Sequence, residues 1–197
     1  CSFEESPAQI IRNMRSIGFD LDKWRKAGRL QFHSARPSLY GLEMHLASLH
    51  RLVHEFKPLA VALDPITNMM SIGESAEVKA MLTRLIDFLK NQGITSLFTS
   101  LTGGGHDLDQ GEVGISSLMD TWLIVRMLET NGERNRLLYV LKSRGMAHSN
   151  QMREFLLTDG GIQLRDVYVG PGAVLTGSAR LTQEARDKAD GLAEQVA

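Results

Sequence analysis

Apolar residues recur at helical spacing from the start of the chain. Ile10, Ile11, Met14 and Ile17 follow Ser6-Pro7 and stop at Gly18, so the pattern predicts a helix with Ser6 as its cap and Pro7 in its first turn. A second short helix is expected over Leu21 to Lys26, ending at Gly28, and the alternation in RLQFHSA reads as a short strand. Leu42, Leu46, Leu49, Leu52, Val53 and Phe56 make an amphipathic helix over 39–56, and Pro58 bars its continuation. LAVALD is a continuous apolar run closed by Asp64, and ITSLFTS is another. Between them Val78, Met81, Leu82, Leu85, Ile86 and Leu89 predict a helix over 76–91 that Gly93 ends. Strand, helix and strand at this spacing form a crossover unit of a parallel sheet.

After a glycine-rich loop the pattern changes. DTWLIVRMLE, RNRLLYVLKSRG and REFLLTDGGIQL read as successive strands joined by tight turns at Asn131-Gly132 and Gly160-Gly161. The sheet is therefore expected to be mixed, parallel first and antiparallel later. In the tail, Leu181, Ala185, Ala189, Leu192 and Val196 recur at coiled-coil-like intervals interrupted by Gly191.

Composition narrows the setting. With 197 residues, 43% of them hydrophobic and 23% charged, the chain suits one globular α/β domain with its own core. A net charge of −1 supplies no bulk attraction to nucleic acid or an anionic membrane, so any phosphate binding must be local. The single cysteine, Cys1, rules out an internal disulfide framework and a cysteine metal cluster, which fits a reducing cytoplasm. No apolar run approaches the roughly 18 residues that span a bilayer, and a charged-then-apolar leader is absent, so a cytoplasmic protein is expected. The chain opens on Cys1 and enters a strand-like run at once, as a piece of a longer fold would.

Several residues carry candidate chemistry. Asp64 closes a run that would be buried on both faces of a parallel strand, and a carboxylate there points into the crevice where α/β sheets bind ligands. The nucleotide-binding version of this pattern holds magnesium through its water shell; a helix cap or ordinary strand-end aspartate before Pro65 is the competing reading. Glu4-Glu5 ends another short strand. Neighbouring strand residues face opposite sides, so only one can point directly into a crevice shared with Asp64 unless the chain kinks there, and a solvated strand end is the plainer interpretation. Lys142 and Arg144 lie two apart at a strand end, on one face, where they suit an oxyanion or protect an edge strand. Ser116 and Ser117 follow the loop LTGGGHDLDQGEVG and can cap a turn. That loop has no lysine or arginine but carries Asp107, Asp109 and Glu112, which would repel a nucleic-acid backbone. Its glycines are followed by no Gly-Lys-Ser/Thr and make no phosphate-binding loop. His50 and His54 form an i, i+4 pair among six histidines, without a third ligand to argue for zinc.

Taken together, FEESPAQIIRNMRSIGFDL, AVALD, SLFTS, GISSLMDT, LKSRGMAHS and MREFLLTDGGIQL come in an order and spacing that resembles the KaiC family, circadian clock ATPases and autokinases with bacterial relatives. The resemblance covers about residues 1–170. It implies an α/β fold with a RecA-like P-loop NTPase core: a mixed, mainly parallel sheet flanked by helices, with antiparallel C-terminal strands. It further implies a homo-hexamer with ATP and Mg2+ at the subunit interfaces. By this likeness Glu4 and Glu5 match paired catalytic glutamates, Asp64 the magnesium aspartate, Lys142 and Arg144 cations supplied to a neighbour's nucleotide, and Ser116 and Ser117 adjacent phosphoacceptors. Residues 171–197 would be a C-terminal tail whose amphipathic helix recruits regulatory or signalling proteins. Three departures stand out. The chain contains no GxxxxGK[ST] motif, so it is expected to be the part of a lobe downstream of its Walker A unit; the phosphoacceptor pair is Ser-Ser; and Pro65 replaces a hydroxyl residue after Asp64. The competing functions are a non-catalytic hexameric signalling scaffold and a RecA/RadA-type DNA-dependent ATPase, against which the acidic loop argues.

Overall fold

The computed structural model describes residues 1–101, 116–130, 132–170 and 173–196, so the acidic loop, His106 and part of the Asn131-Gly132 turn lie outside the described residues. The chain divides into two compact units, Cys1–Met119 and Asp120–Ala197.

The first unit begins with α1 (Pro7–Ser16). Ser6 starts it through a reciprocal cap: the Gln9 amide donates to Ser6 Oγ at 3.4 Å while the Ser6 amide donates to Gln9 Oε1 at 2.9 Å. Then come α2 (Leu21–Lys26), a 3-10 turn at Pro37–Leu39, and α3 (Leu42–Phe56). The third helix starts later than its apolar spacing suggests, because the Pro37 turn and an extended Gly41 precede it. β1 (Ala60–Leu63), a 3-10 segment (Ile66–Ser71), α4 (Ser75–Asn91) and β2 (Thr95–Phe98) complete the expected crossover. β1 and β2 pair in parallel, with Ala60 opposite Thr95 and Leu63 opposite Phe98.

Two more segments extend this sheet by single parallel bridges, Ser2 with Asp64 and Ser2 with Ser34. The strand expected in RLQFHSA is thus reduced to one bridge, closed by Ser2 N–H to His33 C=O at 2.8 Å and Ala35 N–H to Ser2 C=O at 3.2 Å. The resulting order is Ser34, Ser2, β1, β2. Behind it lies the core. Leu82 and Leu89 of α4 are 0% exposed, and Leu63, Ile66, Met69, Met81 and Leu85 are 1% exposed, packed with Phe3, Leu49 and Val53. Each such side chain contributes roughly 1.5–3 kcal/mol of burial.

The second unit is antiparallel. β3 (Thr121–Thr130), β4 (Glu133–Ser143), β5 (Arg153–Thr158) and β6 (Gly161–Asp166) form a four-stranded meander. The parallel and antiparallel pairings therefore fall in separate hydrogen-bonded sheets among the described residues. A hairpin of β7 (Tyr168–Gly170) and β8 (Ala173–Leu175), which the apolar pattern did not announce, leads into α5 (Gly177–Val196). Two carboxylates hold the start of α5: Gly177 N–H donates to Glu154 Oε1 at 3.2 Å and Ser178 N–H to Glu133 Oε2 at 3.0 Å. Gly177 has φ +55, and a Cβ there would lie 2.0 Å from Glu133 Oε2, so both the backbone conformation and the close approach require glycine.

Candidate functional site at the carboxyl edge of the parallel sheet

The parallel segments end together, and the acidic candidates of the first unit stand on that edge. Phe3, 3% exposed, anchors the first segment in the core, and its N–H donates to Asp64 C=O at 2.9 Å. The next residue, Glu4, emerges exposed into a polar cleft of about 450 Å³ shared with Arg36, Ser38, Thr67, Asn68 and Ser71. Asn68 Nδ2 donates to Glu4 Oε1 at 3.0 Å. Glu5 turns elsewhere: its carboxylate accepts from Asn13 Nδ2 of α1 at 2.9 Å, its amide donates to Ser2 Oγ at 3.0 Å, and its carbonyl accepts from Ser34 Oγ at 2.7 Å. The structure thus separates the adjacent glutamates, one toward the cleft and one onto α1, at a bend of the chain over residues 3–5 that follows the Ser2 bridge.

Asp64 ends β1 one strand over. Its carboxylate accepts a hydrogen bond from the Thr99 hydroxyl, and Thr99 itself follows β2 and donates its N–H to Leu63 C=O at 3.0 Å. The Asp64-Pro65 peptide is cis. Asp64 also borders an apolar hollow of about 500 Å³ lined by Leu49, Val53, Leu63, Leu85 and Leu89. Nearby His33 is held below the usual histidine value, first by burial and then by positive charge that includes Arg51 and His45.

The remaining candidates lie apart along the chain. Ser116 and Ser117 open a 3-10 turn, Ser116–Leu118, at the end of the first unit. Lys142 lies in β4 opposite Trp122, next to a register shift between Trp122 and Leu123, and Arg144 is in the turn just beyond, its N–H donating to Asp120 C=O at 2.8 Å. These two belong to the second unit. Of the histidine pair, His50 stacks on Phe88 with ring centroids 3.9 Å apart, while His54 is exposed.

Sequence reasoning passed over Arg36, Asn68 and Thr99. Thr99 carried a signal: it closes the apolar run SLF as Asp64 closes AVAL, and adjacent parallel strands bring such terminal residues side by side. Asn68 carried less, a lone amide inside the apolar stretch ITNMM.

As to magnesium, the donor set fits. Asp64 and Thr99 are hard oxygen donors on an open strand edge, and magnesium takes one or two protein carboxylates, with substrate phosphates and water completing its shell.

Parallel strands backed by helices, with carboxylates at their carboxyl edge, fit the RecA-like P-loop ATPase fold that the family match shows: a family model described as "ATPase: KaiC" matches residues 1–167. The chain belongs to the KaiC family. It is 52% identical over 188 residues to "Circadian clock protein KaiC2" of Synechocystis sp. (strain PCC 6803), covering 94% of this chain and 33% of that protein. It is 30% identical over 199 residues to "Circadian clock oscillator protein KaiC" of Parathermosynechococcus lividus, 99% of this chain and 36% of that protein. The Synechocystis "Circadian clock protein KaiC3" is 30% identical over 198 residues, 98% of this chain and 39% of that protein. The chain spans about a third of the length of these relatives.

Proposed function

We propose that this chain supplies the catalytic edge of an ATP-hydrolysing, self-phosphorylating KaiC-type protein, with Glu4 as the general base. The observation that carries the reading is the placement of Glu4 and Asp64 on adjacent parallel segments, joined by the Phe3 N–H to Asp64 C=O bond, within a chain of this family. Glu4 takes a proton from a water or a serine hydroxyl in the polar cleft. The oxygen so freed attacks the γ-phosphorus of ATP, and the bond between that phosphorus and the β–γ bridging oxygen breaks with its electron pair leaving on ADP. Asp64, whose carboxylate accepts from the Thr99 hydroxyl, would hold Mg2+. When bound, the metal neutralises charge on the β- and γ-phosphates. Glu5, committed to Asn13, fixes the entry of the chain into α1 and assists from behind.

The same reading takes Ser116 and Ser117 as the phosphoacceptors and Lys142 and Arg144 as cations that serve the nucleotide of a neighbouring subunit in a homo-hexamer. Two cations of this kind suit a phosphate, arginine through its planar fork and lysine as a point charge. Regulatory proteins would be recruited through α5. The amide-rich phosphate-binding loop that this chain does not contain would have to come from elsewhere in the protein.

In the intact protein Glu4→Gln should keep ATP binding and slow ATP hydrolysis by about 10²- to 10⁴-fold, because the amide cannot take the proton. Wild-type turnover in that variant would remove Glu4 from the chemistry. Subunits carrying Arg144→Ala mixed with subunits carrying Glu4→Gln should regain activity at interfaces that combine an intact glutamate with an intact arginine. Verified mixed assemblies without such recovery would place the cations in cis. Phosphopeptide mapping after incubation with magnesium and ATP should find label on Ser116 or Ser117, and label elsewhere would reduce the pair to turn residues.

A further inference from the structure

We propose that Asn68 is a positioning residue for the Glu4 carboxylate, an inference that rests on the reading of Glu4 as the general base. The contact joins residues 64 positions apart: Asn68 Nδ2 donates to Glu4 Oε1 at 3.0 Å across the mouth of the polar cleft. Only the nitrogen end of a carboxamide can face a carboxylate, since the oxygen end would set acceptor against acceptor, so chemistry fixes the orientation of the Asn68 amide. A donated N–H holds one carboxylate oxygen in place and leaves the second to accept a proton. For a general base on an exposed strand end, where the side chain would otherwise sample several rotamers, that restraint converts a mobile carboxylate into an aimed one.

Asn68 is itself firmly held. It sits in the 3-10 segment Ile66–Ser71, whose Ile66 and Met69 are both 1% exposed in the core and whose Thr67 is buried. The Ile66 N–H donates to Thr99 C=O at 2.8 Å, which ties the segment to the end of β2. Ser71 Oγ donates to the Asn68 carbonyl at 2.7 Å, and Thr67 Oγ1 accepts from the Leu101 N–H at 3.4 Å. The segment also begins directly after Asp64-Pro65, so one short turn connects the aspartate assigned to magnesium with the amide that aims the base. Glu4 is fixed from its other side by Phe3, whose ring lies edge-on to the buried His45 with centroids 6.1 Å apart. Base and amide are each anchored in the core by an immediate neighbour and meet only at their polar tips.

The test uses the intact protein and steady-state ATP hydrolysis. Asn68→Ala should lower kcat about tenfold with KM for ATP unchanged within about twofold, because Asn68 touches the base and not the nucleotide. Asn68→Asp, nearly the same size, should fall at least as far, since a carboxylate facing Glu4 cannot donate and repels it. Asn68→Gln, which keeps the donor on a longer stem, should recover part of the loss. In a Glu4→Gln background Asn68→Ala should cost nothing further, an outcome that a merely structural role would not give. A crystal structure of nucleotide-free Asn68→Ala should show the Glu4 carboxylate displaced from its wild-type position. Wild-type kcat in Asn68→Asp, a loss confined to KM, or an undiminished Asn68→Ala penalty on top of Glu4→Gln would overturn the proposal. If Glu4→Gln alone hydrolyses ATP at the wild-type rate, the reading of Glu4 falls; if Glu4→Gln is slow while Asn68→Asp is fast, only the role of Asn68 falls.

Discussion

Glu4 follows a parallel bridge at the carboxyl edge of one sheet and Glu154 lies in the interior strand β5 of another, and the two units use these carboxylates in opposite ways. Glu4 stands exposed at the end of a parallel segment, above a core made almost entirely of leucine, isoleucine, valine and methionine. Glu154 is 2% exposed inside the second unit, where it accepts from the Gly177 N–H and lies 3.7 Å from Arg180 Nε. The buried one organises structure: it satisfies the first backbone donor of α5 and opposes the positive end of that helix. The exposed one faces a polar cleft, where Asn68 Nδ2 donates to its Oε1. Burial of a charge therefore does not mark the candidate site here; position at the carboxyl edge of parallel strands does. The apolar residues differ in the same sense. In the first unit α4 buries Val78, Met81, Leu82, Leu85, Ile86 and Leu89, while the second leaves Leu123, Val125 and Met127 of β3 half exposed or more.

The contrast can be broken by substitution, and the largest effect belongs to the first core. Leu82→Ala should destabilise the protein by about 3–4 kcal/mol in urea denaturation, from lost burial and the cavity left in α4. A cost under about 1 kcal/mol would mean that the core of the first unit is not the rigid base assigned to the candidate site. Glu154→Ala should cost about 3 kcal/mol by removing a charge partner from the partly buried Arg180, at the lower end of the usual range because Arg180 Nη1 also donates to Glu184 at 2.8 Å. Glu4→Gln should change stability by less than about 0.5 kcal/mol, and parity between these two variants would erase the distinction between a structural and a chemical carboxylate. Ser6→Ala should cost about 1 kcal/mol through the lost cap of α1, read from the same denaturation curves.

Acid should sharpen the comparison with the smallest effects. His33 is held below the ordinary histidine value of 6.5 by burial, so the folded state binds this proton less readily than the unfolded chain. Its contribution is complete above pH 6.5 and is lost as the pH falls from there toward the lowered folded value. Glu133 is held below 4.5, first by the Ser178 backbone N–H and then by the Ser178 hydroxyl and Asn135. Its contribution is present above pH 4.5 and disappears as the pH falls through the folded value, with α5 the element affected. His33→Phe should remove the shallower dependence near neutrality and Glu133→Gln the acidic one, each measured as midpoint against pH. Identical profiles in both variants would show that neither group governs its window.

Much of the site was legible because strand chemistry is local. Asp64 and Glu4 follow short apolar runs, which marked both as strand-end acids, whereas the division of Glu4 from Glu5 falls at a bend and is set by their contacts with Asn68 and Asn13. Asn68 could not be read this way. Its partner lies 64 residues away, and no periodicity relates a 3-10 turn to the end of another strand. The Glu154 and Glu133 clasp on α5 was equally hidden, since both residues sit in strands whose pattern announces only faces, and the β7–β8 hairpin that delivers α5 to them is too short to show a period.

By itself the sequence determined the helices, whose faces repeat every three to four residues, the crossover between β1 and β2, and the acids that close apolar runs. Those features depend on neighbours a few positions apart, where steric and hydrophobic preferences act directly. Only the tertiary structure decided which acids face a cleft, which amide aims Glu4, and which carboxylates are spent on holding α5. Such pairings are chosen by three-dimensional proximity after the core has packed, and a hydrogen bond between distant residues leaves no periodic trace in the chain that makes it.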